Sequence, residues 1–147
     1  MRKLLLSILV LFSFSSCITT NLYYWGGTQN QATTYENLAY MDYKKQSPQA
    51  ICKLIVAYND MVSNPTKSGI RKVPAPGICA EYGYMLLLPE TATTFAENAS
   101  AFQKRTFNVS NYESYFPELG KEMLKKEMEY YPESTPFIEP LLNKLAN

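Results

Sequence analysis

The stretch that decides the fold is SPQAICKLIVAYNDMVSNP, residues 47–65. Serine followed by proline is typical of a helix start, because the serine side chain can cap free backbone N–H groups and proline suits the first helical position. Apolar side chains then recur at spacings of three and four, which places them on one face of a helix: Ile51, Leu54, Ile55, Tyr58 and Val62. Asn64 and Pro65 end the pattern. We therefore predict a helix that packs one face against a core.

Similar patterns on both sides of this helix predict an all-α protein. Helices are expected over residues 33–45, 78–88, 112–131 and from 134 onward, and no alternating pattern of strands competes with them. Residues 66–77 are rich in glycine and proline and predict a linker. Gly83 lies inside a predicted helix, where its usual justification is the close approach of a neighbouring helix. Residues 90–111 are rich in threonine, asparagine and serine, so we expect an irregular insertion with one short helix.

Composition bounds the size and the chemistry of the protein. The chain has 147 residues, of which 46% are apolar and 18% charged, and this favours one folded domain over disorder. A net charge of +1 gives no reason to expect a nucleic-acid partner. The chain contains no histidine, which excludes Ser-His-Asp and Cys-His catalysis and histidine-ligated zinc. No cofactor or metal site is expected.

The N-terminus predicts secretion and lipid attachment. Arg2 and Lys3 precede an apolar run, Leu4 to Phe14, and small residues follow it, which is the pattern of a signal peptide over residues 1–16. Phe14-Ser15-Ser16-Cys17 resembles a bacterial lipobox, although the lipobox usually has leucine in place of phenylalanine. This resemblance implies that Cys17 carries covalent diacylglyceryl and N-acyl (palmitate-type) lipid. Several acyl chains give stable anchoring. Residues 18–21 contain no aspartate that would suggest retention in the inner membrane, and no acidic cluster resembling a surface-export tag follows Cys17, so we expect the mature protein on the periplasmic face of the outer membrane. The alternative is a secreted protein without lipid.

Two cysteines remain in the mature chain, Cys52 and Cys79. A disulfide between them is compatible with the periplasm and would constrain the unfolded chain. The alternative is a pair of buried free thiols that pack as small apolar groups. Both cysteines lie in helical patterns, and nothing in the sequence fixes their mutual geometry.

The predicted helices resemble tetratricopeptide repeats in part. Tyr82 and Gly83 stand where the first helix of such a repeat has a large residue followed by a small one, and Gly120 and Leu124 match positions of the second helix. Glu127 departs from the pattern, because its position normally holds alanine. The resemblance implies antiparallel helix pairs interrupted by the insertion at 90–111. Within this scheme residues 17–32 form the anchor and an aromatic N-terminal segment, and residues 33–147 form a single helical domain.

A wider resemblance rests on the order of several short motifs. A lipobox, LYYWGG (residues 22–27), a helix with tyrosine and lysine (40–45), PGICAEYGY (76–84) and EMEYYPES (127–134) follow one another. In this order they resemble an uncharacterised family of small bacterial lipoproteins, a domain of unknown function. The resemblance implies a helical, tetratricopeptide-like protein without known catalytic residues. Such proteins are often encoded beside lipoproteins similar to the curli secretion channel, which implies a partner in an envelope secretion or assembly complex.

Two groups of aromatic residues are candidates for partner binding, and each has a structural alternative. The N-terminal cluster could face the membrane interface or a partner, or fold back over the helices: Tyr23, Tyr24 and Trp25. The second group could line a groove for a peptide or glycan, or pack in the core: Tyr82, Tyr84, Tyr130 and Tyr131. The linker cations Lys67, Arg71 and Lys72 could contact lipid phosphate, although solvated side chains are commoner.

Catalysis would have to rest on carboxylates, and no pair of them is placed together by the sequence. We therefore predict a non-enzymatic, lipid-anchored periplasmic module that binds another envelope protein. The alternative is a cell-wall-active or glycan-binding protein, which would require Glu81 and Glu127 to converge in a deep pocket. A passive subunit of a larger complex is a further alternative. The identity of the partner and the stoichiometry are not encoded in any motif.

Overall fold

The structure, a computed structural model, describes residues 21–29, 32–45, 47–67 and 69–145. The predicted signal peptide (1–16) and Cys17 lie outside the described residues. Within the described residues, the elements in chain order are a two-stranded antiparallel hairpin, seven α-helices and one 3-10 turn: β1 (Thr28–Gln29), β2 (Ala32–Thr33), α1 (Thr34–Lys45), α2 (Pro48–Ser63), α3 (Ile78–Leu87), α4 (Pro89–Asn98), α5 (Ala101–Arg105), α6 (Tyr112–Tyr130), the 3-10 turn (Pro132–Ser134) and α7 (Thr135–Leu145). The all-α prediction is confirmed.

Helix α2 begins and ends at the predicted residues. The Ser47 side chain accepts a hydrogen bond from the backbone N–H of Ala50 at 3.2 Å, and the helix ends before Asn64. Its predicted apolar face turns inward: Leu54, Ile55 and Tyr58 are buried, while Ile51 and Val62 pack against the core from its edge. Burial of this face is the main stabilising contribution, because an isolated helix of this length is marginal in water.

Helices α3 and α6 run antiparallel and cross at a pair of glycines. A Cβ atom at Gly83 would lie 2.7 Å from the carbonyl oxygen of Gly120, and one at Gly120 would lie 2.9 Å from that of Gly83. Contacts this short exclude any side chain at either position unless the helices move apart. The close approach expected at Gly83 is therefore confirmed, and Gly120 is its counterpart. The α3–α6 pair has the most extensive contact between elements in the described chain.

The prediction of an irregular insertion at 90–111 is wrong. Residues 89–105 form helices α4 and α5, and Pro89 occupies the first turn of α4 rather than only ending α3. Phe95 is fully buried, with ring centroids 5.1–5.3 Å from those of three other rings: Phe107, Tyr112 and Phe116. One of the threonines that predict turns, Thr91, is buried, and its hydroxyl donates to the carbonyl of Met85 at 2.7 Å. Tertiary burial here outweighs the weak local preference of threonine for non-helical backbone.

The N-terminal segment belongs to the same packed unit as the helices. Tyr24 is buried, and Tyr23 and Trp25 pack against the core. Gly26 and Gly27 have φ values of +75° and +84°, a backbone region that other residues rarely adopt, and they turn the chain towards the hairpin before α1. The boundary predicted at residue 32 therefore does not separate the aromatic segment from the helical domain.

Candidate functional site: a groove between α1, α2 and α5

A groove of about 710 Å³ lies on the surface between α1, α2 and α5. The residues that line it come from the N-terminal segment, the three helices and the start of the linker: Gly26, Thr34, Leu38, Lys53, Val56, Ala57, Asn59, Asp60, Asn64, Lys67, Phe102, Gln103 and Thr106. Its volume lies in the range typical of ligand sites in proteins. Apolar side chains of α1 and α2 line one part of the groove, and polar side chains near the end of α2 line another.

Phe102 is the most prominent side chain of this groove. It lies on α5 and 77% of its surface is exposed. The short helix is held by a capping box, in which Ser100 accepts from the backbone N–H of Gln103 and the Gln103 side chain accepts from that of Ser100. The box satisfies backbone donors that would otherwise lack partners. A large apolar ring is thus presented to solvent from an ordered helix.

The polar part of the groove is organised around Asp60. Its carboxylate accepts hydrogen bonds from the Tyr24 hydroxyl, from Asn64 Nδ2 at 2.9 Å and from Lys67 Nζ at 3.5 Å. The Lys67 ammonium also lies 5.4 Å from the centre of the Tyr24 ring. Burial, followed by the hydrogen bond to Asp60, raises the pKa of Tyr24. The N-terminal segment therefore contributes to the groove by fixing Asp60 and Lys67.

The first candidate cluster, Tyr23, Tyr24 and Trp25, folds back over the helices. Trp25 begins a series of ring contacts that continues through Tyr35 and Tyr58, with centroid distances of 5.5 and 5.8 Å. Of the two alternatives for this cluster, the structure has the folded-back one. A further role in partner binding stays a prediction.

The second candidate group does not form one groove. Tyr82 is fully buried and stacks on Tyr58 at 5.6 Å, whereas Tyr84 is 57% exposed. Residues two apart on a helix point to nearly opposite sides, so these two could not share a surface. Tyr131 donates to the carbonyl of Pro74 at 2.6 Å, and Tyr130 is half-buried. Of the two alternatives for this group, core packing describes Tyr82, and partner binding by the other tyrosines stays a prediction.

Glu127 caps helix α3 from the neighbouring helix. It is only 2% exposed, and its carboxylate accepts from the backbone N–H of Gly77 at 2.7 Å and of Ala80 at 3.2 Å. Gly77 precedes α3 with a φ of +87° and offers no side chain for capping. A negative charge at this position also complements the positive end of the helix dipole. The carboxylate that departs from the repeat pattern thus has a structural role, and the tetratricopeptide-like arrangement stays a prediction.

Glu81 lies on the surface at the start of α3 and accepts hydrogen bonds from two tyrosines. The hydroxyls of Tyr35 and Tyr58 reach its Oε2 at 2.6 and 2.7 Å. Burial, followed by this carboxylate, raises the pKa of Tyr35 to about 12 and raises that of Tyr58 further. Glu81 and Glu127 do not converge in the groove, because neither lines it.

The cysteines are two buried free thiols, so the disulfide considered between Cys52 and Cys79 is not present in the structure. Cys52 Sγ lies 3.8 Å from the carbonyl oxygen of Thr94. Burial, with the nearby Glu127 carboxylate, raises the pKa of the Cys79 thiol to about 12. Within the described residues, no three side chains of the metal-binding types come together.

The chain matches none of the family models, curated proteins or solved structures with which it was compared. Among the helices described, none combines the length and the apolar character needed to cross a bilayer.

Of the residues that the sequence singled out for binding, only Lys67 lines the groove, and it was a candidate for lipid phosphate rather than for a protein partner. The sequence does not indicate the α5 side of the groove, because the composition of residues 90–111 predicts an irregular insertion. One signal could have found it: Ser100-x-x-Gln103 is the spacing of a capping box, and Phe102 lies within it.

Proposed function

We propose that this protein is a lipid-anchored binding module at the periplasmic face of the outer membrane. Its groove would bind an extended segment of another envelope protein. The observation that carries this proposal is the exposed Phe102 beside a groove that has both apolar and charged lining residues.

The chemistry of the groove suits a peptide segment. A large aromatic side chain beside a pocket is the type of residue that dominates the energy of protein–protein contacts. The ion pair between Lys67 and Asp60, at 3.5 Å, offers a charged end that could select the register and direction of a bound segment. The family resemblance favours a lipoprotein of a secretion or assembly complex as the partner.

Glycan chemistry fits these residues less well. Convergence of Glu81 and Glu127 in a common pocket would favour it. In the structure Glu81 accepts hydrogen bonds from tyrosine hydroxyls, and Glu127 accepts hydrogen bonds from backbone N–H groups. Both carboxylates therefore have partners within the protein.

The groove is tested by site-specific photo-crosslinking in intact envelopes. A photoreactive residue replaces Phe102, and the matched control replaces Phe137, which is 82% exposed on α7. We expect one discrete cross-linked envelope protein from position 102 and not from position 137. The same products from both positions, or none from position 102, would contradict a binding role for the groove.

The anchor is tested separately with the Cys17→Ser variant. We expect this variant to lack acyl groups, whereas the unaltered chain carries them and resists extraction from membranes by salt. If the Cys17→Ser variant carries the same mass of acyl groups as the unaltered chain, Cys17 is not the attachment site.

A further inference from the structure

The N-terminal segment and the linker are joined into one ordered surface. The backbone N–H groups of Ile70 and Arg71 donate to the carbonyls of Asn21 and Leu22 at 3.2 and 3.0 Å. A Cβ atom at Gly69 would lie 2.8 Å from the backbone of the Tyr23–Tyr24 peptide, so only glycine allows this approach. The linker is therefore fixed against the first described residues of the mature chain.

This surface combines exposed apolar side chains with positive charge. We name it the anchor face and define it by Leu22, Ile70, Arg71 and Lys72. Leu22 is 49% and Ile70 62% exposed, and both cations are exposed. Residues 61–80 contain no aspartate or glutamate, and residues 21–35 contain no charged residue. The two segments that form the anchor face thus bring basic residues and no acidic residue to it.

The length of the intervening chain places this face close to the predicted acylation site. Four peptide units separate Cys17 from Asn21, and four units span at most about 14 Å even when fully extended. With acyl chains of Cys17 in the bilayer, the lipid headgroups lie within reach of Leu22 and of the linker beside it.

We propose that the anchor face docks on the lipid headgroups of the membrane that holds the anchor. Leu22 and Ile70 enter the interface, and Arg71 and Lys72 contact lipid phosphates. For its location this inference rests on the lipid anchor of the proposed function, but it concerns a different surface from the groove. Docking would hold the protein in one orientation on the bilayer.

The charges of Arg71 and Lys72 predict how strongly their substitution should weaken docking on the membrane. One lysine or arginine close to an anionic membrane shifts a binding equilibrium by about fivefold. Reversal of both cations should therefore weaken docking by about 30-fold or more, since repulsion replaces attraction. Salt should weaken docking of the unaltered protein, because the cations are exposed and screened.

Fluorescence of Trp25, the sole tryptophan, provides the measurement. Protein isolated from membranes is reconstituted into vesicles of phosphatidylcholine and phosphatidylglycerol that carry a nitroxide on a fraction of the headgroups. We expect strong quenching of Trp25 in these vesicles, and weaker quenching with phosphatidylcholine alone. The double variant Arg71→Glu, Lys72→Glu should lower quenching to the neutral-vesicle level, and Ile70→Ser should lower it less.

Matched controls separate docking from general effects. Lys125→Glu with Lys144→Glu makes the same charge change at exposed positions on α6 and α7, and Phe137→Ser removes an apolar side chain that is more exposed than Ile70. These controls should leave quenching unchanged, and circular dichroism should show the same helix content in every variant. Quenching that survives reversal of Arg71 and Lys72, or that falls equally in the controls, overturns the anchor face.

The mass of the same preparation distinguishes this outcome from failure of the anchor. An unmodified Cys17 would refute lipid attachment, while quenching by anionic vesicles would still support the docking face. An acylated Cys17 without charge-dependent quenching would leave the anchor intact and refute the docking face.

Discussion

Replacement of Glu127 by alanine tests whether this position is a helix cap or a repeat position. Alanine is the residue that the tetratricopeptide pattern expects there, so a true repeat would tolerate it. In the structure the change leaves the N–H groups of Gly77 and Ala80 without their acceptor in a site that is 2% exposed. Each lost charge-assisted hydrogen bond costs about 1.5–3 kcal/mol, and two bonds to one carboxylate are not additive. We therefore expect Glu127→Ala to lower the free energy of unfolding by about 2–4 kcal/mol.

Urea denaturation, followed by circular dichroism and by Trp25 fluorescence, measures this change. Glu127→Gln keeps the shape and one acceptor oxygen, so its loss should be intermediate. Glu129→Ala is the matched control, because Glu129 is exposed two residues further on the same helix and its removal should cost less than about 0.5 kcal/mol. If Glu127→Ala is as stable as Glu129→Ala, the capping role is refuted.

Four further substitutions test the core, the groove and the buried thiol. Gly83→Ala gains about 1 kcal/mol of helix propensity but forces a Cβ to 2.7 Å from the Gly120 carbonyl, so we expect a net loss of about 1–2 kcal/mol in urea denaturation. Phe95→Ala should lower stability by about 3–5 kcal/mol, whereas Phe102→Ala should leave stability unchanged and weaken only the binding of the partner captured from position 102; equal losses of stability would contradict the assigned burial. Cys79 titrates near 9 when unfolded and, because burial raises its pKa, near 12 when folded. The unfolded chain thus releases the proton first, so the contribution of Cys79 to stability should be full below pH 9 and be lost between pH 9 and 12. Because the raised pKa values of Tyr35 and Tyr58 also lower stability above about pH 10, Cys79→Ala should reduce this fall without abolishing it, and an unchanged fall would contradict the assigned burial of the thiol.

The helices with strong local signals could be predicted from the sequence. Ser47 and Pro48 mark the start of α2, Asn111 accepts from Ser114 at the start of α6, and the proline after Tyr131 marks its end. Each of these signals acts through atoms within four residues. Gly83 also predicted a contact between distant parts of the chain, because a glycine inside a helix indicates the close approach of a neighbouring helix.

Features that depend on distant contacts could not be predicted in the same way. Helix α4 is stabilised by burial of Phe95 among rings from residues 107–116, and its threonines carry a weak preference against helix. The cap on α3 comes from Glu127, fifty residues along the chain from Gly77. The groove requires α1, α2 and α5 to be adjacent, and no spacing in the sequence encodes that adjacency.

Lipid attachment at Cys17 is the claim on which the proposed location of the protein depends. The most direct test is the intact mass of the protein isolated from envelope membranes. We predict a chain that begins at Cys17 and carries diacylglyceryl and N-acyl groups. A chain whose first residue carries no lipid, whether that residue is Cys17 or another, would contradict lipid attachment.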